Sequence, residues 1–159
     1  RGRLDADLER LRRAADLVGS GRPLVAPADP AEVAALLDAV GLENARDLVL
    51  RSIDRDSAPE HVAVWSAVLR GAPPRHVGTA GLLLAWAAWQ AGDGALAWCG
   101  LDRVAEVDDA DPMAALLEQV LIEAVPPSAV DDLWAGLDDL EALEEERWWA
   151  EEHATELGE

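Results

Sequence analysis

An unbroken apolar segment lies in the middle of the chain, over residues 82–89. It consists of Leu, Ala and Trp without any β-branched residue, a composition that favours a helix over a strand. A helix that has no polar face must be covered on all sides, and this segment is shorter than the roughly 20 residues that span a bilayer. The pattern therefore predicts a buried helix at the centre of a soluble helical core.

Two further helices are predicted directly after this segment. Gly92 suits a left-handed helix end, and Asp93 suits the N-cap of the helix that follows. Asp111 and Pro112 form the next helix start, with the aspartate as N-cap and the proline in the first turn, and the prolines after Val125 end that helix. Apolar positions at helical spacing mark the two buried stripes: Ala97, Leu101 and Val104, then Leu116, Leu117, Val120 and Leu121.

The first two of these helices, joined by a short Gly-Asp turn, indicate a hairpin of the tetratricopeptide kind. The second stripe position, Leu101, follows Ala97 by four residues, as that repeat requires. However, Gly81, Ala85 and Ala88 occupy the positions of its Trp, Gly and Tyr. The sequence therefore predicts one tetratricopeptide-like hairpin within residues 79–125 rather than an array of repeats.

Helical patterns also occur on both sides of this region. Apolar spacing predicts upstream helices over about 4–18, 30–40, 43–53 and 58–71, two of them begun by capping signals at Asp29-Pro30 and Ser57-Ala58-Pro59-Glu60. We expect an all-α fold of about eight or nine short helices, arranged as an irregular bundle or short solenoid. Residues 1–127 form the helical domain, and residues 128–159 form an acidic helical extension.

The net charge of −19 is concentrated in the second half of the chain. Residues 1–80 hold 12 acidic residues and 11 Arg, whereas residues 81–159 hold 20 acidic residues and two Arg. Such a surface repels phosphate backbones, which argues against nucleic acids and anionic membranes as partners. It is compatible with a basic protein partner, or with solubility alone.

Residue patterns for catalysis or metal binding are missing from the sequence. The three His are scattered, which disfavours a zinc site. Asp108, Asp109 and Asp111 resemble part of a calcium loop, but Pro112 interrupts the required spacing. The single Cys99 is predicted to be an inert buried thiol. We expect no metal and no cofactor, and we favour a binding protein over an enzyme.

Two pairs of residues are candidates for partner binding. Arg75 and His76 precede the central helix, where they form either an anion site or an ordinary helix cap. Trp148 and Trp149 are adjacent, so one helix cannot direct both side chains into one core, and one of them is either exposed or docked on a partner or a second copy of the chain. The remaining tryptophans at 65, 86, 89 and 98 line a ligand pocket or, as we favour, fill the core.

The segment AWAAWQAGDGALAWCGLDRVAEVDDADPMAALLEQVLIEAVPPSAV, residues 85–130, resembles the C-terminal part of an actinobacterial domain of unknown function of the DUF4192 type. Members share a phrase similar to LLAWAAW-x-x-GDGALAW-x-x-LDR, an Asp-Pro helix start and a later Pro-Pro, with a weaker likeness through Arg46-Asp47-Leu48 and His61–Trp65. The resemblance implies a bacterial cytoplasmic protein with an additional N-terminal region, and it carries no catalytic residues.

Two functional hypotheses follow from these observations. The first is a non-catalytic protein-interaction or scaffold module within a longer bacterial protein. The second is an accessory helical domain of an enzyme whose active site lies in that N-terminal region.

Overall fold

The computed structural model describes residues 30–41, 43–107, 110–132 and 147–148. These residues form helices and turns without any strand, which confirms the all-α fold class. The predicted helix over residues 4–18 lies outside the described residues. The elements are α1 (Pro30–Val40), α2 (Glu43–Ser52), α3 (Ala58–Gly71), a 3-10 turn (Pro74–His76), α4 (Val77–Gln90), α5 (Gly94–Ala105) and α6 (Pro112–Ile122).

The chain divides into two compact units, Arg1–Val125 and Pro126–Glu159. All of the named elements belong to the first unit. In the second unit, residues 128–132 are helical with Val130 buried, and the helical residue Trp148 is exposed. Within the described stretches, no helix has the length and apolar character needed to cross a membrane.

Helix α4 is the predicted central helix, and it is buried along its whole length from Ala80 to Gln90. Helices α3 and α5 make its main contacts, and α1, α2 and α6 complete its surroundings. The helix starts at Val77, two residues before the predicted start at Thr79, because the prolines at 73 and 74 lead into a 3-10 turn that continues directly into α4.

The turn between α4 and α5 has the predicted chemistry. Gly92 has a φ of +81°, the left-handed conformation that glycine adopts at low cost. The Oδ1 atom of Asp93 accepts a hydrogen bond from the amide of Leu96 at 2.9 Å, as an N-cap should. The two helices then approach closely, since a Cβ atom placed on Gly100 would lie 2.6 Å from the carbonyl oxygen of Gly81.

Three of the four tryptophans at 65, 86, 89 and 98 belong to the core. Trp65, Trp86 and Trp89 are buried, whereas Trp98 is half-buried. The rings of Trp86 and Trp89 pack edge to face with their centroids 5.2 Å apart. The Trp89 indole donates a hydrogen bond to the carbonyl of Val125 at 3.1 Å, so the core ties down the end of the first unit.

Two features of α6 differ from the prediction. Only Leu117 of its apolar stripe is fully buried, while Leu116 is 52% exposed, because among the described elements α6 packs mainly against α4 and α5, which cover Leu117. The helix also ends at Ile122 rather than at the following prolines. Ala124 closes it with a φ of 51°, and the amide of Val125 bonds back to the carbonyl of Val120.

The predicted capping role of Ser57 is also wrong. Ser57 has helical backbone angles, and its side chain makes no cap hydrogen bond. Instead, the Ser57 amide donates to the Asp54 carboxylate at 2.8 Å, and the Asp54 amide donates to the Ser57 hydroxyl at 3.1 Å. The turn before α3 is therefore closed by Asp54, three residues before Ser57, rather than by a side-chain cap at Ser57.

The prediction that Cys99 is buried is wrong as well. Cys99 is exposed, because it lies two residues from both Ala97 and Leu101, which face the core. Two residues correspond to roughly half a helical turn, so the thiol points away from that core.

Candidate functional site

An open cleft of about 520 Å³ lies in the first unit where α2, the 3-10 turn, the first turn of α4 and the α5–α6 connection meet. Sites for small molecules commonly have volumes of roughly 300–1,000 Å³. The lining residues are Arg46, Pro74, Arg75, Gly78, Thr79, Val107 and Asp111.

One wall of the cleft is fixed by an ion pair between distant parts of the chain. The Nη1 atom of Arg46 donates a hydrogen bond to Oδ2 of Asp111 at 3.0 Å. The other oxygen of Asp111 accepts the amides of Met113 and Ala114 at 2.9 and 3.1 Å, as the predicted N-cap of α6. Both oxygens of this carboxylate are therefore engaged.

The opposite side of the cleft is positioned by Asp38 of α1. His76 Nε2 lies 2.7 Å from Asp38 Oδ1, which holds the 3-10 turn against α1. Arg75 reaches the same oxygen only at 3.8 Å, and its side chain is 66% exposed. His76 thus serves a structural contact, whereas Arg75 remains at the surface beside the cleft.

The electrostatic balance of the cleft differs from that of the whole chain. Among the described residues, its lining contains two guanidinium groups and one carboxylate, that of Asp111, which is already bound by Arg46 and backbone amides. Outside the lining, carboxylate oxygens of Asp47 and Asp38 lie 3.8 Å from Arg46 and Arg75, respectively. The first turn of α4 contains no acidic residue, and a helix N-terminus carries a partial positive charge. An anionic group is the class of ligand that this arrangement favours. Over the part of the chain that the structure describes, no cluster of three or more His, Cys, Asp or Glu could hold a metal ion.

The rim of the cleft is partly apolar. Val107 is exposed at the end of α5, and a Cβ atom on Gly78 would approach its Cγ2 atom to 3.2 Å. Glycine at this position therefore keeps the cleft open, because any side chain would press on Val107. A ligand with an acidic group and an apolar part suits such a site.

A second surface feature lies along α6, which begins at the cleft. The side chains of Leu116 and Ile122 are 52% and 62% exposed. The exposed Glu118 lies on the same helix, and the exposed Glu123 is its C-cap residue. We refer to these four residues as the α6 outer surface. It combines large apolar groups with carboxylates.

The sequence model of a domain of unknown function, DUF4192, matches residues 1–128. The chain belongs to this family. Comparisons with curated proteins and with solved structures found no match. The matched region begins far upstream of residues 85–130, the segment on which the sequence resemblance was based. It includes the cleft and the α6 outer surface. Both features therefore lie within the DUF4192 domain.

The structure places the predicted partner-binding residues in different surroundings. Arg75 lines the cleft, and His76 adjoins it through its bond to Asp38. Trp148 is 63% exposed in the second unit, and Trp149 lies outside the described residues. A partner-binding role for these four residues remains a prediction.

Arg46 and Thr79 were not predicted as site residues. Arg46 lies within the Arg46-Asp47-Leu48 motif of the family resemblance, but its pairing with a residue 65 positions away is a tertiary contact. Thr79 was predicted only as the beginning of the central helix. Neither residue type nor spacing distinguishes either one in the sequence.

A further titratable group, His61, lies in α3 and outside the cleft lining. The Trp65 indole donates a hydrogen bond to its Nδ1 atom at 3.2 Å. Burial lowers the pKa of His61 below its ordinary value, against the opposing effect of the Glu60 and Asp54 carboxylates. We assign this histidine to the core of the DUF4192 domain.

Proposed function

We propose that this DUF4192 chain is a non-catalytic protein-interaction or scaffold module of a longer bacterial protein that acts in the cytoplasm, and that its partner is a basic protein. The observation that carries the proposal is the α6 outer surface, where the large apolar side chains of Leu116 and Ile122 are exposed on a helix that also has exposed carboxylates at Glu118 and at its C-cap residue Glu123.

A partner would gain both apolar and charged contacts at this surface. Large exposed apolar side chains can serve as anchors for a partner, and protein interfaces combine an apolar centre with a polar rim. The carboxylates beside them, together with the strongly acidic second half of the chain, would steer a positively charged partner and repel an acidic one. A basic partner with apolar anchor residues suits both properties.

Two related elements belong to the same proposal. The α4–α5 pair, with its Gly92-Asp93 turn, is the tetratricopeptide-like hairpin that would present α6 on a rigid support. Trp148, which is exposed in the second unit, would contact a partner or a second copy of the chain. In the second case, association through the C-terminal helix would make the protein a homo-oligomer.

The test is quantitative capture from a bacterial lysate with matched variants as bait. The double variant Leu116→Ser/Ile122→Ser removes the apolar groups of the α6 outer surface. Leu48→Ser is its control, because Leu48 is 46% exposed on α2. We expect a basic protein that the unchanged chain and the control retain and that the double variant loses. Equal retention by all three baits would contradict the proposed interface.

A separate set of variants tests how much the carboxylates of the α6 outer surface contribute to partner binding. Glu118→Gln/Glu123→Gln should lower the salt concentration at which the partner elutes, since each exposed carboxylate contributes to the attraction. Glu60→Gln removes an exposed carboxylate of α3 and is the control. Elution at an unchanged salt concentration from the double variant would argue against a basic partner at this surface.

The alternative, an accessory domain of an enzyme, is favoured by a different observation, the arginine-lined cleft. In that case Arg46 and Arg75 would help to hold an anionic substrate of an active site in another part of the longer protein. Substitution of Arg75 would then raise the KM of the full-length enzyme, whereas the α6 variants would leave it unchanged.

A further inference from the structure

We infer that the cleft beside α4 is a binding site for a small molecule that carries a compact anionic group, either a phosphate or a carboxylate. This inference concerns a different surface from the α6 outer surface and does not rest on the proposed interaction function. It rests on two arginines that line one cleft: Arg46 is held by an ion pair, and Arg75 is largely exposed.

Arg46 supplies a fixed positive charge. Its Nη1 atom is bonded to Asp111, which the amides of Met113 and Ala114 hold in turn. The guanidinium has five N–H donors in a rigid fork, and one of them makes this hydrogen bond among the described residues. Its Nε atom is buried and lies 3.8 Å from the Asp47 carboxylate. Because the side chain lines the cleft and is already held in place, donors that it presents there do not have to be ordered on binding.

Arg75 supplies a charge that can move. Its contact with Asp38 is 3.8 Å long, beyond hydrogen-bonding distance, and its side chain is 66% exposed. Such a surface pair contributes little to stability, so little is lost when Arg75 turns toward an anion in the cleft. Asp38 keeps its 2.7 Å contact with His76 in the process, which leaves the 3-10 turn in place.

The remaining surroundings select a small ligand over a polymer. The cleft has a volume of about 520 Å³, an apolar rim at Val107 and Pro74, and a hydroxyl donor at Thr79. Residues 81–159 carry 20 acidic residues and two Arg, so a polyanion such as a nucleic acid would be repelled over most of its length. A small molecule with only one or two acidic groups largely avoids that repulsion.

The experiment is isothermal titration of the full chain with inorganic phosphate and, separately, with succinate, near neutral pH and at constant ionic strength. Arg75→Gln removes the mobile charge at an exposed position, and Arg70→Gln is its control, because Arg70 is exposed on α3 outside the cleft lining. Gly78→Ala narrows the cleft against Val107 without any change of charge. Circular dichroism verifies that each variant is folded.

We expect saturable millimolar binding of at least one anion. Arg75→Gln should weaken that binding about tenfold or more, the usual effect of losing a charge-assisted hydrogen bond. Gly78→Ala should weaken it as well, and Arg70→Gln should leave it unchanged. Binding of phosphate alone assigns a phosphate-bearing ligand, and binding of succinate alone assigns a carboxylate.

Three results would overturn the inference. The first is that neither anion shows saturable binding. The second is that Arg70→Gln weakens binding as much as Arg75→Gln, since the effect would then reflect the overall charge. The third is that Arg75→Gln and Gly78→Ala both bind as the unchanged chain does, which would place the anion elsewhere.

Discussion

The carboxylate of Asp111 joins the start of α6 to Arg46 of α2, although the two residues are 65 positions apart in the chain. Its Oδ1 atom accepts two backbone amides, and its Oδ2 atom lies 3.0 Å from the arginine Nη1. Because the side chains of Arg46 and Asp111 are only 20% and 13% exposed, this pair is shielded from solvent more than an ordinary surface ion pair. One side chain therefore sets both a helix start and one wall of the cleft.

Replacement of Asp111 should cost more than the loss of a helix cap alone. We expect Asp111→Ala to lower the free energy of unfolding by about 2–3 kcal/mol, of which the cap contributes about 1 kcal/mol and the ion pair the rest. Asp93→Ala is the matched control, because Asp93 caps α5 through a single amide. Urea unfolding measures both. An equal loss for the two variants would show that the Arg46 contact contributes nothing.

The close approach of α4 and α5 gives a second prediction. A Cβ atom on Gly100 would lie 2.6 Å from the Gly81 carbonyl oxygen and 2.9 Å from the Cβ atom of Ala85. Gly100→Ala should therefore force the helices apart and destabilise the protein by about 1–3 kcal/mol. Gly94→Ala is the control, since no atom lies within 4 Å of a Cβ there. Thermal unfolding of Gly100→Ala at an unchanged temperature would contradict the observed helix approach.

The sequence correctly predicted several features that depend on neighbouring residues, although the side-chain cap at Ser57 was not among them. Gly92, Asp93 and Asp111 act at helix ends as expected, because turn and cap chemistry involves residues within a few positions of each other. The burial of α4 was predictable too, since a helix with no polar face requires cover on all sides.

Features that depend on distant residues were not predictable in this way. Leu116 matched an apolar stripe, but whether a stripe is covered depends on what packs against it, and Leu116 is exposed while the adjacent Leu117 is buried. The pairing of Arg46 with Asp111 is likewise a contact between segments whose arrangement one sequence does not specify. The cleft depends on how these segments pack together. Of its lining residues, only Arg75 was therefore predicted as a site residue.

The buried His61 should make stability depend on pH. Burial lowers its pKa in the folded state, so between the folded pKa and the ordinary value of 6.5 the unfolded chain binds more protons than the folded one. Stability is then fully present above about pH 6.5 and falls as the pH decreases toward the folded pKa.

Urea midpoints at about pH 7.5 and about pH 5.5 test this dependence. His61→Gln keeps a hydrogen-bond acceptor for Trp65 but does not titrate, so the fall in midpoint between the two pH values should be smaller in this variant. An identical fall in the variant and the unchanged chain would assign the pH dependence to other groups.

Both Trp86 and Trp98 were expected to fill the core, but the structure buries them to different extents. Trp86 is buried and packs edge to face on Trp89, whereas Trp98 is half-buried on α5. We expect Trp86→Ala to lower the free energy of unfolding by about 3–5 kcal/mol, since it leaves a cavity that the surrounding helices cannot fill. Trp98→Ala should cost about 1–2 kcal/mol, because part of that side chain remains in contact with water in the folded state. Denaturant unfolding of the two variants side by side measures the difference. If Trp98→Ala proves as costly as Trp86→Ala, the contribution of Trp98 is not limited by its partial exposure.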